Sequence, residues 1–426
     1  MLVNLPASRS NFTLPDFHQI AIDSGFIVRE SPKMVASKFI QAVIGAAISG
    51  RGSYNQIAAD LGTRTGRPMS RQAMEERFEK TACVNFMTAS HEAILEAQLA
   101  PVAEVAKCSP VKRIIAEDSS GQALPKSNSE HFPAHGNHHG ATAGVKVDFS
   151  YDLLAGSVVT HSLHGGTEQD KSIGREAVTT LQNGDLSLRD MGYFCLSEFT
   201  YIESVGAYWL TRLPLNVGVC LENGKEIEKH LKNAKGNIVD LTVIAGSEGK
   251  KCRLVAIRAD KQVAEKRKRT RRQEAEKKGK TPSEKGRIRD GWHIMLTNLN
   301  SSEFSAIDLA SIYRIRWGVE IQFRAWKQST NLSAALNRKS KENHMTVLLL
   351  GAMIAHLLGM AIGRLFAREF GIERLSYEKL FDLLASHHAT ANCVEDILSF
   401  RTDPRHISRD KRCREIPFVL GLEALA

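Results

Sequence analysis

The sequence predicts an α/β protein: a mixed sheet with flanking helices, interrupted by a β-rich insertion, set between a helical N-terminal region and a helical C-terminus. Three observations predict it. Short β-rich runs alternate with helix-period stretches between about 111 and 213, the pattern of strands and connecting helices in one sheet. Further strand-like runs crowd together between 215 and 300. The flanking stretches, up to about 105 and beyond 341, carry apolar residues at helical spacing. The chain therefore divides into residues 1–105, helical; 106–214, first part of the core; 215–300, β-rich insertion with a basic arm; 301–340, second part of the core; and 341–426, helical.

The N-terminal region is punctuated by clear stop and start signals. A helix over 33–49 is ended by Gly50 and Gly52. Ser53 caps a second helix that runs to Gly62, and Ser70 caps a third after the loop TRTGRP. Arg64, Arg67, Arg71 and Arg77 surround that turn, which is compatible with a helix-turn-helix reader and equally with plain helix packing. A strand over 111–118 ends in Asp118 and breaks into SSGQALP. Residues 126–140 read as a mobile polar loop. Its His131, His135, His138 and His139 match no zinc spacing and have no cysteine beside them.

Two strands over 143–151 and 157–164 form a hairpin through DLLAG. A helix over 171–181, a strand over 186–189 leading into Asp190, and a strand over 208–213 follow. The insertion supplies strands over 217–221, 238–245 and 252–258. Residues 261–289 hold 13 Lys and Arg against four Glu, a solvated arm or a phosphate-contacting one. A strand over 292–298 then precedes one long helix over 308–330, and a basic tail occupies 401–414.

Composition narrows the partners. With 24% charged and 42% apolar residues the 426-residue chain is ordinary for a soluble protein of two or three domains. Its net charge of +10 and pI near 9.2 favour a polyanion. Seven scattered cysteines, never in a CxxC pair, argue for a reducing cytoplasm and against a disulfide framework or a cysteine zinc site. The N-terminus lacks the order of a signal peptide. The most apolar run, 347–362, contains His356 and is short for a membrane span, so it reads as a buried helix with no membrane partner.

The long helix carries the chemistry. At about 100° per residue, Tyr313, Arg316, Glu320, Arg324 and Lys327 share one narrow face, while Ile315, Val319, Phe323 and Trp326 suit a core. A charged stripe is ordinarily a solvated surface. A metal-binding carboxylate among phosphate-binding cations needs partner carboxylates, and Asp118 and Asp190 supply them at the ends of two strands expected to be neighbours. Three carboxylates can hold two Mg²⁺ ions for phosphodiester chemistry.

The run YRIRWGVEIQFRAWK fits Y-x2-R-x3-E-x6-K through Tyr313, Arg316, Glu320 and Lys327. It resembles the DDE transposases of bacterial insertion sequences, in the branch called insertion-sequence family four. EDSSG around Asp118 and RDMGYF around Asp190 are similar to that family's two aspartate motifs, and the β insertion is shared. The resemblance covers about residues 105–370. It implies an RNase H-like core in which Asp118, Asp190 and Glu320 are catalytic and bind two Mg²⁺ or Mn²⁺ ions. Tyr313, Arg316 and Lys327 would hold DNA phosphates, with Arg324 on the same face. Trp292 would stack on a flipped base, burial in the insertion's own core being the competing reading. The implied partners are double-stranded DNA, both transposon ends with terminal inverted repeats and target DNA, and a second copy of the chain in a synaptic homodimer. The helical N-terminus would be a DNA-binding domain and the location the bacterial cytoplasm, at the nucleoid. Cut-and-paste transposition would proceed by nicking, a hairpin and strand transfer. An RNase H-like metal-dependent nuclease without strand transfer, or a catalytically inactive DNA-binding regulator, are the alternatives.

Overall fold

A computed structural model describes residues 14–98, 110–137 and 140–316, then 320, 323–324, 326–327, 332–336, 341–369 and 376–387. The basic tail at 401–414, His138, His139 and Val319 lie outside the described residues. Contacts divide the chain into two compact units that cut across its linear order. The first takes 1–105, 118–169 and 317–424; the second takes 106–117 and 170–316.

The first unit opens with five helices: α1 (Phe17–Asp23), α2 (Ala36–Ser49), α3 (Tyr54–Thr65), α4 (Arg71–Glu79) and α5 (Thr81–Gln98). Ser53 and Gln56 form a capping box at the start of α3, and the Ser70 hydroxyl accepts the Ala73 N–H at the start of α4. The later helices α12 (Leu332–Leu336), α13 (Glu342–Glu369) and α14 (Tyr377–His387) complete it. Helix α13 is long and apolar enough to cross a membrane, yet most of it is buried inside the protein, packed on α2 and α5. Gly351 permits that approach: a Cβ there would lie 2.7 Å from Val43 Cγ1.

Strands β2 (Pro133–Asn137), β3 (Gly140–Asp152) and β4 (Ser157–Gly165) and the second half of β1 (Arg113–Leu124) form the sheet of this unit. The hairpin β3–β4 closes at Asp152↔Ser157. Two expectations are corrected. The polar stretch 126–140 contains β2, which pairs antiparallel with β3 from Pro133↔Ala143. The strand bearing Asp118 also continues to Leu124, because pairing with β3 carries it on through Ser119, Ser120 and Gly121, which have little strand propensity of their own.

The second unit holds the first half of β1 and then α6 (Asp170–Thr179), β5 (Asp185–Arg189), α7 (Leu196–Ser204) and β6 (Tyr208–Arg212). Next come β7 (Val219–Cys220), α8 (Ile227–Asn233), β8 (Ile238–Ala245), β9 (Lys250–Arg258), α9 (Lys261–Lys277), α10 (Glu284–Arg289), β10 (Trp292–Thr297) and α11 (Ala306–Ile315). The strand order is β1-β5-β6-β10-β9-β8-β7. The β1/β5 and β5/β6 pairs are parallel, with α6 and α7 around them as connecting helices; the remaining pairs are antiparallel. The strands of the insertion do not form a separate sheet. They continue the core sheet outward from β6 through Met295↔Arg212. Helix α11 ends at Ile315, with Arg316 as its C-cap, and Glu320, Phe323, Arg324, Trp326 and Lys327 are helical again.

Candidate active site

The ladder between β1 and β5 is pinned by charge at both ends. Arg113 and Asp185 are Cα partners, and Arg113 Nε donates to Asp185 Oδ1 at 2.7 Å. Four residues further on, Glu117 and Arg189 are partners, and Arg189 Nε donates to Glu117 Oε2 at 2.6 Å. Asp118 and Asp190 are the residues that follow this last pair in the chain.

Within the second unit, Asp190 is half-buried and opens the 3₁₀ turn Met191–Tyr193, its carbonyl accepting the Tyr193 N–H at 3.1 Å. Tyr313 on α11 donates its hydroxyl to the Arg189 carbonyl at 3.4 Å, and Thr211 on β6 donates to the same oxygen at 3.4 Å. Burial pushes the Tyr313 phenol up to about 12; Arg316 opposes that and the Asp190 carboxylate adds to it. Tyr313, Arg316 and Asp190 therefore share one electrostatic neighbourhood. The Arg316 guanidinium lies 5.8 Å from the Tyr313 ring centroid and is almost fully buried.

Within the first unit, Asp118 is half-buried and its Oδ1 accepts the Ser119 N–H at 3.0 Å. Lys327 reaches back to β1 and donates to the Gly121 carbonyl. Burial lowers the Lys327 pKa and the Asp118 carboxylate partly offsets it, which puts the ammonium beside that aspartate. Glu320 is half-buried and Arg324 exposed. The helical residues that carry them are seated from the opposite side. Trp326 Nε1 donates to the Ala352 carbonyl of α13 at 3.0 Å, and Phe323 packs edge-on against Phe149 with centroids 5.5 Å apart.

The carboxylates are thus divided, Asp118 and Glu320 in one unit and Asp190 in the other. Among the described residues, no group of three or more His, Cys, Asp or Glu gathers as a metal site.

Trp292 starts β10 and is buried, with the Arg258 guanidinium 4.3 Å from its ring centroid and its carbonyl accepting from Arg267 at 3.0 Å. It helps line a cavity of about 770 Å³ in the second unit, together with Met191, Arg212, Lys266, Arg267 and Arg271. His293 beside it is held down to about 4, by burial first and then by Arg267 and Arg212.

Around the N-terminal turn most of the arginines are engaged locally. Arg64 donates to Asp60 at 2.9 Å, Arg77 to the Phe26 carbonyl at 2.8 Å, and Arg71 pairs with Glu75 at 3.2 Å. Arg67 is exposed. Sequence reasoning missed Glu117, Arg189, Glu198, Gly174 and Arg212. The only signal was a charged residue closing each of two apolar runs, RIIAE and DLSLR.

A mixed α/β sheet in which residues of two paired parallel strands are each followed by an aspartate, with helical acidic and basic residues later in the chain, places this protein in the mixed α/β class. The chain matches the Transposase DDE domain family over residues 109–358, more than half its length, and it belongs to that family. It is 28% identical over 299 residues to the transposase for insertion sequence element IS231B of Bacillus thuringiensis subsp. berliner, covering 65% of this chain and 62% of the relative. It is 29% identical over 301 residues to that of IS231E from subsp. finitimus, with the same coverage of 65% and 62%. The transposase of IS1151 from Clostridium perfringens is 24% identical over 379 residues, 83% of this chain and 79% of that one. The chain thus spans about 62% of the length of the two IS231 relatives.

Proposed function

We propose that this chain is an insertion-sequence transposase that cuts and rejoins DNA by in-line displacement at phosphorus, moving its element by cut-and-paste. The observation that carries the reading is the β1/β5 register, which makes Asp118 and Asp190 the next residues after one paired rung. The family membership and the names of the relatives support it.

In this reading the core is RNase H-like, and Asp118, Asp190 and Glu320 together hold two Mg²⁺ or Mn²⁺ ions in the DNA-bound complex. The donors fit such ions, since all three are half-buried carboxylates that offer hard oxygen ligands. Bound there, the ions would supply Lewis acidity for the attacking and leaving oxygens.

This chain's residues do the rest. Arg316 presents a planar fork and Lys327 a point charge to backbone phosphates, with Arg324 as an outer contact. Tyr313 is a neutral phenol at physiological pH and burial raises it further, to about 12, so it can turn its one hydroxyl proton from the Arg189 carbonyl to a phosphate without repelling it, Thr211 keeping that carbonyl. Trp292 takes a flipped base by exchanging the Arg258 guanidinium for the base. Arg212 and Lys266 at its cavity hold the flanking phosphates. The N-terminal helices read the terminal inverted repeats, two copies of the chain pair the ends, and the reaction takes place in the bacterial cytoplasm, at the nucleoid.

The test uses the full chain, Mg²⁺ and a duplex carrying the element's own terminal sequence. Nicking at the end, followed by joining of a pre-cleaved end to a plasmid, is the expected result. Nicking without joining would leave a nuclease, and binding without either would leave a regulator.

A further inference from the structure

Arg189 sits immediately before Asp190 and is 2% exposed, between two buried carboxylates. Its Nε donates to Glu117 at 2.6 Å and its Nη1 to Glu198 on α7 at 2.5 Å, while Nη2 reaches the Gly174 carbonyl on α6. The Tyr193 ring covers its guanidinium at 5.4 Å. Gly174 is the floor of this cradle. A Cβ there would lie 2.6 Å from Tyr193 Cδ1, 2.8 Å from Arg189 Nη2 and 3.1 Å from Glu117 Oε1.

We propose that Arg189, with Glu117 and Glu198, is a positioning residue for the reaction. It locks the β1/β5 register, fixes the peptide that leads into Asp190, and is kept from ion-pairing with the aspartates themselves. The inference rests on the metal-dependent reading above and goes beyond it, since none of these three residues is one of the three carboxylates of that reading.

Two arguments support a role beyond stability. A buried arginine between two carboxylates is seldom more stabilising than apolar packing of the same volume, so stability alone does not account for it. What such a cluster does supply is register. A slip of one residue would exchange the faces of Glu117 and Asp118 and offer Asp118 to the guanidinium in place of Glu117. The contacts to Glu198 and Gly174 hold the guanidinium on the α6 and α7 side. The Arg189 carbonyl is held separately by Tyr313 and Thr211, so both ends of the residue before Asp190 are fixed.

The test compares four forms of the full chain, each bound to the same pre-cleaved end duplex, by Mn²⁺ titration, reading free Mn²⁺ by its paramagnetic signal and subtracting the binding of the duplex alone, with thermal melts of each. They are the wild type, Asp190→Ala, the neutral combination of Arg189→Met, Glu117→Gln and Glu198→Gln, and the single change Glu198→Gln. Asp190→Ala should lose most Mn²⁺ binding. The neutral combination should melt within about 5 °C of wild type, as replacing a buried ion cluster allows, yet bind Mn²⁺ roughly 10- to 100-fold more weakly. Glu198→Gln, which keeps the Glu117 pair and so the fold, should weaken binding by about threefold or more. A neutral combination, or Glu198→Gln should the combination not fold, that binds Mn²⁺ like wild type while Asp190→Ala does not would overturn the positioning role alone. Unchanged binding in Asp190→Ala would overturn the metal reading and the positioning role with it.

Discussion

Asp118 and Asp190 differ from the other acidic residues around β1 and β5 in what lies beside them. Glu117 and Glu198 are spent on Arg189, and Asp185 on Arg113. Asp118 has Lys327 nearby and Asp190 has Tyr313 and Arg316, groups suited to a phosphate. Changing Asp118, Asp190 or Glu320 to Ala should therefore lower cleavage about a thousandfold, equivalent to roughly 4 kcal/mol of transition-state stabilisation, while duplex binding stays within about threefold. Lys327→Ala should do the reverse, weakening duplex binding about tenfold and cleavage at saturating DNA much less. Single-turnover nicking and fluorescence anisotropy would separate the two, and normal cleavage by Glu320→Ala would remove the assignment. Tyr313, Arg316, Glu320 and Lys327 stand out in the sequence because their spacing is local, within one helix-period run, and Asp118 and Asp190 because each follows a strand-like run. Glu117 and Arg189 were not legible, since a charged residue at the end of an apolar run reads as a surface residue until the two strands are paired.

At the scale of elements, α6 fits against the β1/β5 ladder through one glycine. Gly174→Ala would gain helix propensity of up to about 1 kcal/mol but press a methyl into Tyr193 and Arg189, an overpacking cost of about 1–3 kcal/mol. A net loss of about 1–2 kcal/mol in urea unfolding is expected; a gain would mean the cradle is loose. Strands 238–245 and 292–298 were read within a residue or so, because period and turn residues mark their ends. Strand β2 was not, because Pro133, His135 and Gly136 have no strand propensity and only pairing with β3 makes them one. The same holds for the core where α5, β4 and α13 meet. His91 Nε2 and His161 Nδ1 are 3.1 Å apart, and His356 stacks on Trp326 with centroids 5.4 Å apart. Burial holds His91 down to about 4 and His356 to about 3, and lowers His161 still more clearly. Folded histidines that resist protons below an unfolded value near 6.5 make the unfolded state the better proton binder. Stability is then full above about pH 7 and falls as pH drops from about 6.5 through 4, by on the order of 2–3 kcal/mol at pH 4.5 for each of His91 and His356. Denaturation midpoints at pH 7.5 and 4.5 test this, and His356→Phe should shrink the difference; equal midpoints in the wild type would contradict it.

At the scale of the whole molecule, the charge of +10 is unevenly held, and α9 decides how it can be used. Helix α9 turns Ala264, Arg267 and Arg271 inward. Arg267 is bound to the Trp292 carbonyl at 3.0 Å and Arg271 to Asp290 at 2.8 Å, so these cations serve the fold. Lys268, Arg269, Arg272 and Lys277 point outward. The ion pairs of Lys268 with Glu265 and Arg272 with Glu276 are exposed and weak, and a phosphate can displace them. If this outer face lies along DNA, each phosphate it neutralises releases counterion, adding about 0.9 to the slope of log K against log salt. Replacing Arg269, Arg272 and Lys277 with Gln should then reduce the slope by roughly 2 to 3 and weaken binding most at low salt. The melting temperature should hardly move, because none of the three is buried. Anisotropy of a labelled duplex between about 50 and 300 mM salt reads the slope directly. An unchanged slope would make the outer face of α9 a solvated one and leave the DNA-facing charge to Arg316, Arg324, Lys327 and Arg212 at the Trp292 cavity.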